Sequence, residues 1–236
     1  MEIDQYSKKF IHYYTDDLPS TIVKLVLNNK SFNSLADLGC GDGSILYALG
    51  KKKLLGQFSK IYAIDISKDR IANVKRIDGR IKCMVSDVCN ISKIKNSEID
   101  LIILNQVIEH VQDDELMIKE IERILKKGGI AYISTVFKKW YGWFFYKDKN
   151  NNWVIDPTHE REYSYDKQLI GKFKKFDLEI LKNNKSLQWF PITDFFLKRI
   201  GFRNDAYERS LQLRLLRKVK IPIIGYYNWE IVCKKK

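Results

Sequence analysis

The chain has 236 residues, 45% hydrophobic and 30% charged, which excludes the disordered and fibrous classes and allows one large core without disulfide or metal staples. No apolar run approaches the ~18 residues of a membrane-spanning helix, and the start, MEIDQYSKKFIHYY, lacks the apolar stretch of a secretory signal. The net charge of +13 is uneven: residues 1–136 hold 20 Lys+Arg against 18 Asp+Glu, whereas residues 137–236 hold 22 against 11, so the basic field that favours anionic partners lies in the last hundred residues.

In chain order, Thr21–Asn28 follows Pro19 and Ser20 with apolar residues at Ile22, Val23, Val26 and Leu27, which predicts a helix. Ser34–Cys40 is a short apolar run ending at glycines and reads as a buried strand. The spacing then predicts helix over Ser44–Leu55, strand over Lys60–Ile66, helix over Lys68–Ile77, and strands over Ile81–Val88 and Glu98–Leu104. Asp113–Lys127 has helical period and meets Gly128-Gly129, which predicts its stop; Ile130–Val136 is the fifth strand. Strands and helices alternating in this way predict an α/β fold, a parallel sheet covered on both faces. Residues 137–163 break the rhythm with an aromatic, polar segment of the length that marks a functional loop. Asp166–Phe173 reads as helix and Leu178–Lys182 as strand. Residues 186–222 read as a second insertion, with the aromatic run WFPITDFF and a basic helix over Tyr207–Val219; Tyr226–Cys233 is the last strand.

The strongest local signal is Asp37-Leu38-Gly39-Cys40-Gly41-Asp42-Gly43-Ser44, between the first strand and the next helix. Glycines there permit positive φ and close approach of a ligand to the backbone, and the following helix presents free N–H groups. Asp65 ends the second strand, where a carboxylate can accept from ribose hydroxyls. Asp87 ends the third, where it can accept from an exocyclic amine, and Asn105 ends the fourth. Polar residues at successive strand ends converge on one edge of such a sheet, the edge where ligands bind.

DLGCGDGS, YAID, SDV, LIILNQVIEHVQDD and LKKGGIAYIST together resemble the motifs of class I S-adenosylmethionine-dependent methyltransferases, of the ubiquinone-pathway-like type, over residues 34–136. The resemblance implies a Rossmann-like doubly wound sheet, mostly parallel with an antiparallel last strand, and C-terminal insertions forming a substrate lid. It implies one domain over 1–236: a helical cap (1–33), a cofactor-binding core (34–136), a helix and strand with insertions (137–225), and the last strand (226–236). With S-adenosylmethionine as cofactor, Gly39 and Gly41 would pack on its methionine part and Asp37 would sit near its amino group. Asp65 would bind the ribose, Ile66 would lie on the adenine, Asp87 and the Val88 backbone would read the adenine edge, and the Asn105 backbone would face the amino-acid end.

Methyl transfer from a sulfonium asks the protein mainly for alignment; a general base adds to that when the acceptor is a hydroxyl. His110, after the fourth strand, and His159, in the first insertion, are the candidate bases, whereas His12 is expected at the surface. Relatives with a metal carry Glu-x-x-Glu-His where this chain has Gln106-x-x-Glu109-His110. On a helix these positions share a face, but neutral Gln106 replaces a carboxylate that a hard cation prefers, so no metal is expected. The aromatic insertions favour a small-molecule acceptor at oxygen or nitrogen, anionic or lipid-like in keeping with the basic field. The alternatives are an RNA methyltransferase using that field, and a non-catalytic membrane-surface protein using the helix face of Leu211, Leu215 and Val219. Four cysteines without a CxxC pair fit reduced thiols in the cytoplasm.

Overall fold

The computed structural model describes residues 17–148, 150–201, 210–216 and 219–236. Its helices are α1 (Ser20–Asn28), α2 (Ser44–Lys51), α3 (Lys68–Val74), α4 (Asp114–Ile124), α5 (Asp166–Phe173), α6 (Ile192–Arg199) and α7 (Leu211–Leu216). Its strands are β1 (Ser34–Leu38), β2 (Lys60–Asp65), β3 (Ile81–Val85), β4 (Ile99–Asn105), β5 (Leu125–Lys138), β6 (Tyr146–Lys147), β7 (Trp153–Val154), β8 (Leu178–Phe190) and β9 (Ile221–Lys235). Seven strands form one sheet in the order β3-β2-β1-β4-β5-β9-β8, and β6-β7 is a separate hairpin. The first five of that order run parallel, while β9 is antiparallel to both β5 and β8. This is the doubly wound sheet with an antiparallel last strand that the motifs imply.

Successive side chains of a strand point to opposite faces. In β4, Ile102 and Leu104 join Ile118, Ile121 and Ile124 of α4 on one face. Leu101 and Ile103 join Leu46 and Leu49 of α2 and Ile71 and Val74 of α3 on the other. Both faces being covered, the strands read as unbroken apolar runs. α1 buries Ile22 and Val26. It is fastened by Thr21, whose hydroxyl donates to Glu230 at 2.8 Å, where Lys182 (2.7 Å) and Tyr132 (3.0 Å) also meet.

Several expected boundaries move. The helix before Gly128-Gly129 ends at Ile124, and both glycines lie inside β5. Leu125 already pairs with Ile99, and a register shift between Ile99 and Leu101 absorbs the glycines as an irregularity of the ladder. The helix expected to reach Leu55 stops at Lys51, with a 3-10 turn over Leu55–Gln57. The strand expected over Leu178–Lys182 continues to Phe190, and the last strand starts at Ile221 instead of Tyr226. β8 and β9 are one long antiparallel hairpin, so the second insertion shrinks to 191–220. The run Lys182-Asn183-Asn184-Lys185-Ser186 reads as loop by composition, and pairing with Ile231, Glu230 and Trp229 overrides that propensity. The basic helix expected over Tyr207–Val219 lies partly outside the described residues, which show helix over Leu211–Leu216. Among the described residues no helix is long and apolar enough to cross a membrane.

Candidate active site

The glycine turn leaves β1 with Gly39, Gly41 and Gly43 at φ +67°, +54° and +84°. A Cβ on Gly39 would stand 2.5 Å from Val107 Cγ2, so both the backbone and the neighbouring β4 turn demand glycine there. The register sets the rest of the edge. Asp37 lies opposite Ala63 and Ile103, and Asn105 opposite Ser134. Continued by two residues, it brings Gly39, Asp65, Asn105 and Ser134 to one level.

Asp65 closes the turn: Oδ2 accepts from Gly41 N at 2.8 Å and Oδ1 from Ser67 N at 2.9 Å. The side chain that could grip a ribose thus also fixes the backbone that would face the ligand. Ile66 beside it is 52% exposed, an apolar shelf open to a flat ring. Asp87 lies two residues beyond the end of β3, not at its last residue, and there its Oδ1 accepts from Cys89 N at 2.8 Å while Val88 is buried. Asn105 Oδ1 accepts from Ser134 Oγ at 2.7 Å, which leaves its backbone at the sheet edge.

Asp37 differs from these. It is buried, and its Oδ2 has no hydrogen-bond partner among the described residues. Burial, then the charge of Asp65, push its carboxyl up from 3.8 to about 7. A buried carboxylate oxygen without a donor is costly; a cationic or N–H group placed beside the glycine turn removes that cost. The orphaned oxygen, the bare backbone and the apolar shelf are the complement of a cationic amino acid joined to a nucleoside.

The second half of the site assembles after β4. Gln106 sits at φ +57°, and residues 107–110 form a turn, not the helix on which 106, 109 and 110 would share a face. Arg161 from the first insertion clamps this turn, donating to the carbonyls of Ile108 (3.3 Å), Val111 (2.6 Å) and Gln112 (2.5 Å). The insertion also adds backbone bonds from Glu160 N and Arg161 N to the Glu109 carbonyl. The two expected histidines, far apart in sequence, come together: the rings of His110 and His159 meet edge-on with centroids 4.7 Å apart. His12 lies outside the described residues.

Each imidazole is oriented through Nδ1. That of His110 faces the Thr158 carbonyl at 3.3 Å and the Thr158 hydroxyl at 3.2 Å; that of His159 faces Glu162 Oε1 at 3.2 Å. A carbonyl and a carboxylate only accept, so Nδ1 is the donor of each ring in these contacts. Burial, then His159, push His110 down to about 4, so it is neutral at physiological pH. Beneath them Glu109 is fully buried, accepting from the Thr135 hydroxyl at 3.0 Å. Burial pushes it up to about 7, against the pull of His159. In the orientation that satisfies both its amide atoms, Gln106 donates to Glu109 Oε1 at 3.1 Å. One ligand atom each of Glu109, His110 and His159 lie within 4.8 Å of one another, a group able to hold a metal ion.

Sequence reasoning missed Thr135, Thr158 and Glu162. Thr135 lies one residue beyond Ser134 in β5, the level of the edge, and the strand-end argument applied to a fifth strand finds it. Thr158 and Glu162 carry no local signal, because their roles exist only through the histidines they orient.

Residues 36–133 match the family described as Methyltransferase domain. A ubiquinone biosynthesis O-methyltransferase of Pelagibacter ubique is 29% identical over 154 residues, covering 63% of this chain and 62% of that protein. A probable S-adenosylmethionine-dependent methyltransferase of Mycobacterium tuberculosis is 23% identical over 130 residues, 55% of this chain and 43% of its own length. The chain therefore spans less than two thirds of either relative. The crystal structure of a putative methyltransferase from Bacillus halodurans shares the fold at a TM-score of 0.62 and 13% identity, over 92% of this chain and 100% of that one.

Proposed function

We propose that the chain, whose residues 36–133 match the family described as Methyltransferase domain, is a class I S-adenosylmethionine-dependent methyltransferase that moves the methyl group of that cofactor to an oxygen or nitrogen of a small-molecule acceptor. The observation that carries the reading is the buried oxygen of Asp37 beside the glycine turn, which has no hydrogen-bond donor among the described residues and suits the cationic end of this cofactor. Asp37 pairs with the amino group, Gly39 and Gly41 admit the methionine part, and Asp65 accepts from the ribose hydroxyls. Ile66 covers the adenine, Asp87 and the Val88 backbone read its edge, and the Asn105 backbone faces the amino-acid end. When bound, the cofactor supplies a methyl group already activated on a sulfonium.

The protein then aligns the acceptor and handles its proton. An oxygen acceptor is favoured by the two oriented imidazoles and by the O-methyltransferase relative. His159 Nε2 takes the proton, and the Glu162 carboxylate behind Nδ1 stabilises the imidazolium that results. Neutral His110 meets the His159 ring edge-on and holds it toward the acceptor. The described parts of the aromatic and basic insertions, within 137–163 and 191–220, form the lid over this acceptor, in a single domain with the core. Four unpaired cysteines agree with a reducing, cytoplasmic setting.

The test is incubation with methyl-labelled cofactor and separate panels of hydroxylated aromatics, amines and mixed RNA, read by mass spectrometry of the product. Labelled aromatic ether supports the reading; label in RNA alone overturns the small-molecule assignment. A second reading, a divalent cation on Glu109, His110 and His159, is favoured by their mutual approach. One carboxylate and two imidazoles suit a borderline transition metal better than magnesium. Metal analysis of protein purified without chelator decides it: a stoichiometric metal supports the cation, and its absence leaves the histidines as bases.

A further inference from the structure

We propose that the described parts of the two insertions, with the start of β9, form one docking surface for an anionic lipid bilayer. The surface is independent of the methyl-transfer reading, since it rests on exposure and charge alone. Its apolar part is built on the first insertion: Trp153 meets Trp143 at a centroid distance of 5.7 Å and Trp143 meets Phe145 at 5.0 Å, while buried Phe144 beneath them packs on Phe190 at 5.7 Å. Trp143 N also donates to the carbonyl of Ile224, and Phe190 pairs with Ile221 across the β8–β9 hairpin. From there Thr193 of α6 bonds the Leu216 and Val219 carbonyls at the end of α7.

Large side chains on these linked segments stay exposed. Trp140 is 91% exposed, Phe145 67%, Ile224 66% and Leu215 57%. Scattered apolar side chains need no explanation, but a contiguous set of large ones marks an interaction site. Cations are set among them: Lys147 Nζ lies 4.6 Å over the Trp153 ring and Arg199 4.9 Å over Phe195. The acid of the β6–β7 hairpin, Asp148, is turned into its own turn and accepts from Asn150 N and Asn152 N.

Exposed tryptophans and aliphatics flanked by lysines match a bilayer interface, where rings sit at headgroup depth and ammonium groups meet lipid phosphate. A second copy of the chain is disfavoured, because residues 137–236 carry 22 basic against 11 acidic side chains and would repel their like. RNA is disfavoured by the aliphatic share of the surface: Leu215, Ile221 and Ile224 offer no ring on which a base can stack. His159, Lys139 and Trp140 line one cavity beside this surface, so docking would present the candidate active site to molecules dissolved in the membrane.

The first experiment uses the unaltered chain. Vesicles of phosphatidylcholine with about a third phosphatidylglycerol should sediment it, and neutral vesicles should hold it at least tenfold more weakly. Raising the salt should release it, since each lysine near an anionic surface contributes roughly fivefold in affinity. Brominated acyl chains in the anionic vesicles should quench its tryptophan emission. The second experiment uses two double variants, Phe145→Ser with Ile224→Ser and Lys147→Glu with Arg199→Glu, each checked for native circular dichroism. Each should lower vesicle affinity by tenfold or more. No sedimentation and no quenching with the unaltered chain overturn the proposal, whether or not methyl transfer is found. So does a dimer that the serine variant dissociates, or salt-sensitive retention by RNA without retention by vesicles.

Discussion

Residues 34–136 and residues 137–236 solve different problems with different materials. The first region is aliphatic, nearly neutral and buried on both faces of the sheet. It builds its half of the site from backbone: a glycine turn at positive φ and strand ends brought level by the register. The second region is aromatic and basic, with many of its large side chains at the surface. It contributes side chains that reach back to the first, His159 onto His110 and Arg161 onto the turn after β4. A cofactor of fixed shape can be held by fixed backbone, whereas an acceptor that varies from enzyme to enzyme is read by what is grafted on the scaffold.

Substitutions sharpen that division, and the largest effect is expected at the histidines. His159→Ala should lower turnover by roughly 10²–10⁴-fold, and His110→Ala should fall in the same direction, while the affinity for the demethylated cofactor changes less than about twofold. Equal turnover in both variants would remove the second region from the chemistry. Next is Asp65→Ala, which strips the acceptor from Gly41 N and Ser67 N. Calorimetry should show cofactor affinity reduced by about a hundredfold, two charge-assisted bonds being lost along with the ribose contact.

Gly39→Ala meets both a positive φ and Val107, so it should destabilise the fold by about 1–3 kcal/mol in thermal or urea unfolding. Adding Val107→Ala should return the steric part and leave the conformational part. Asp37 sets a pH signature. Its folded-state carboxyl titrates near 7 against 3.8 when free, so the unliganded protein loses stability progressively as pH rises between these values. A cationic ligand needs the carboxylate, so cofactor affinity should climb by up to about tenfold per unit from roughly pH 5.5 to 7 and then flatten. Asp37→Asn should abolish the slope, and a slope unaltered by it would move the cationic end of the cofactor elsewhere. The smallest effect is expected from Arg161→Ala, a several-fold loss of turnover as the 106–112 turn loosens, with cofactor affinity unchanged.

Most of the sheet edge proposed to hold the cofactor was legible as sequence. Apolar runs that end at glycines announce buried strands, and Asp65 and Asn105 stand where the strand ends put them. Asp87 was legible as a residue but not as a strand end, because β3 stops at Val85 and the carboxylate sits in the following turn. In the acceptor half the two histidines were legible as candidates, whereas the turn under Gln106, Glu109 and His110 was not. Helical spacing predicts a helix there, and the positive φ of Gln106 together with the grip of Arg161 gives a turn instead.

What the chain encodes locally, it encodes plainly. Helix periods, the alternation of strands and helices, and the demand for glycine after β1 follow from each residue and its near neighbours, through side-chain period and the steric limits on φ. Long-range pairing decided the rest. The β8–β9 hairpin owes its length to partners about thirty to sixty residues away, the His110–His159 contact joins segments on separate elements, and the exposure of the aromatic insertions depends on what the sheet leaves uncovered. These are properties of who meets whom, and the same polar or aromatic residue is a loop, a strand or a surface depending on the partner that the fold brings to it.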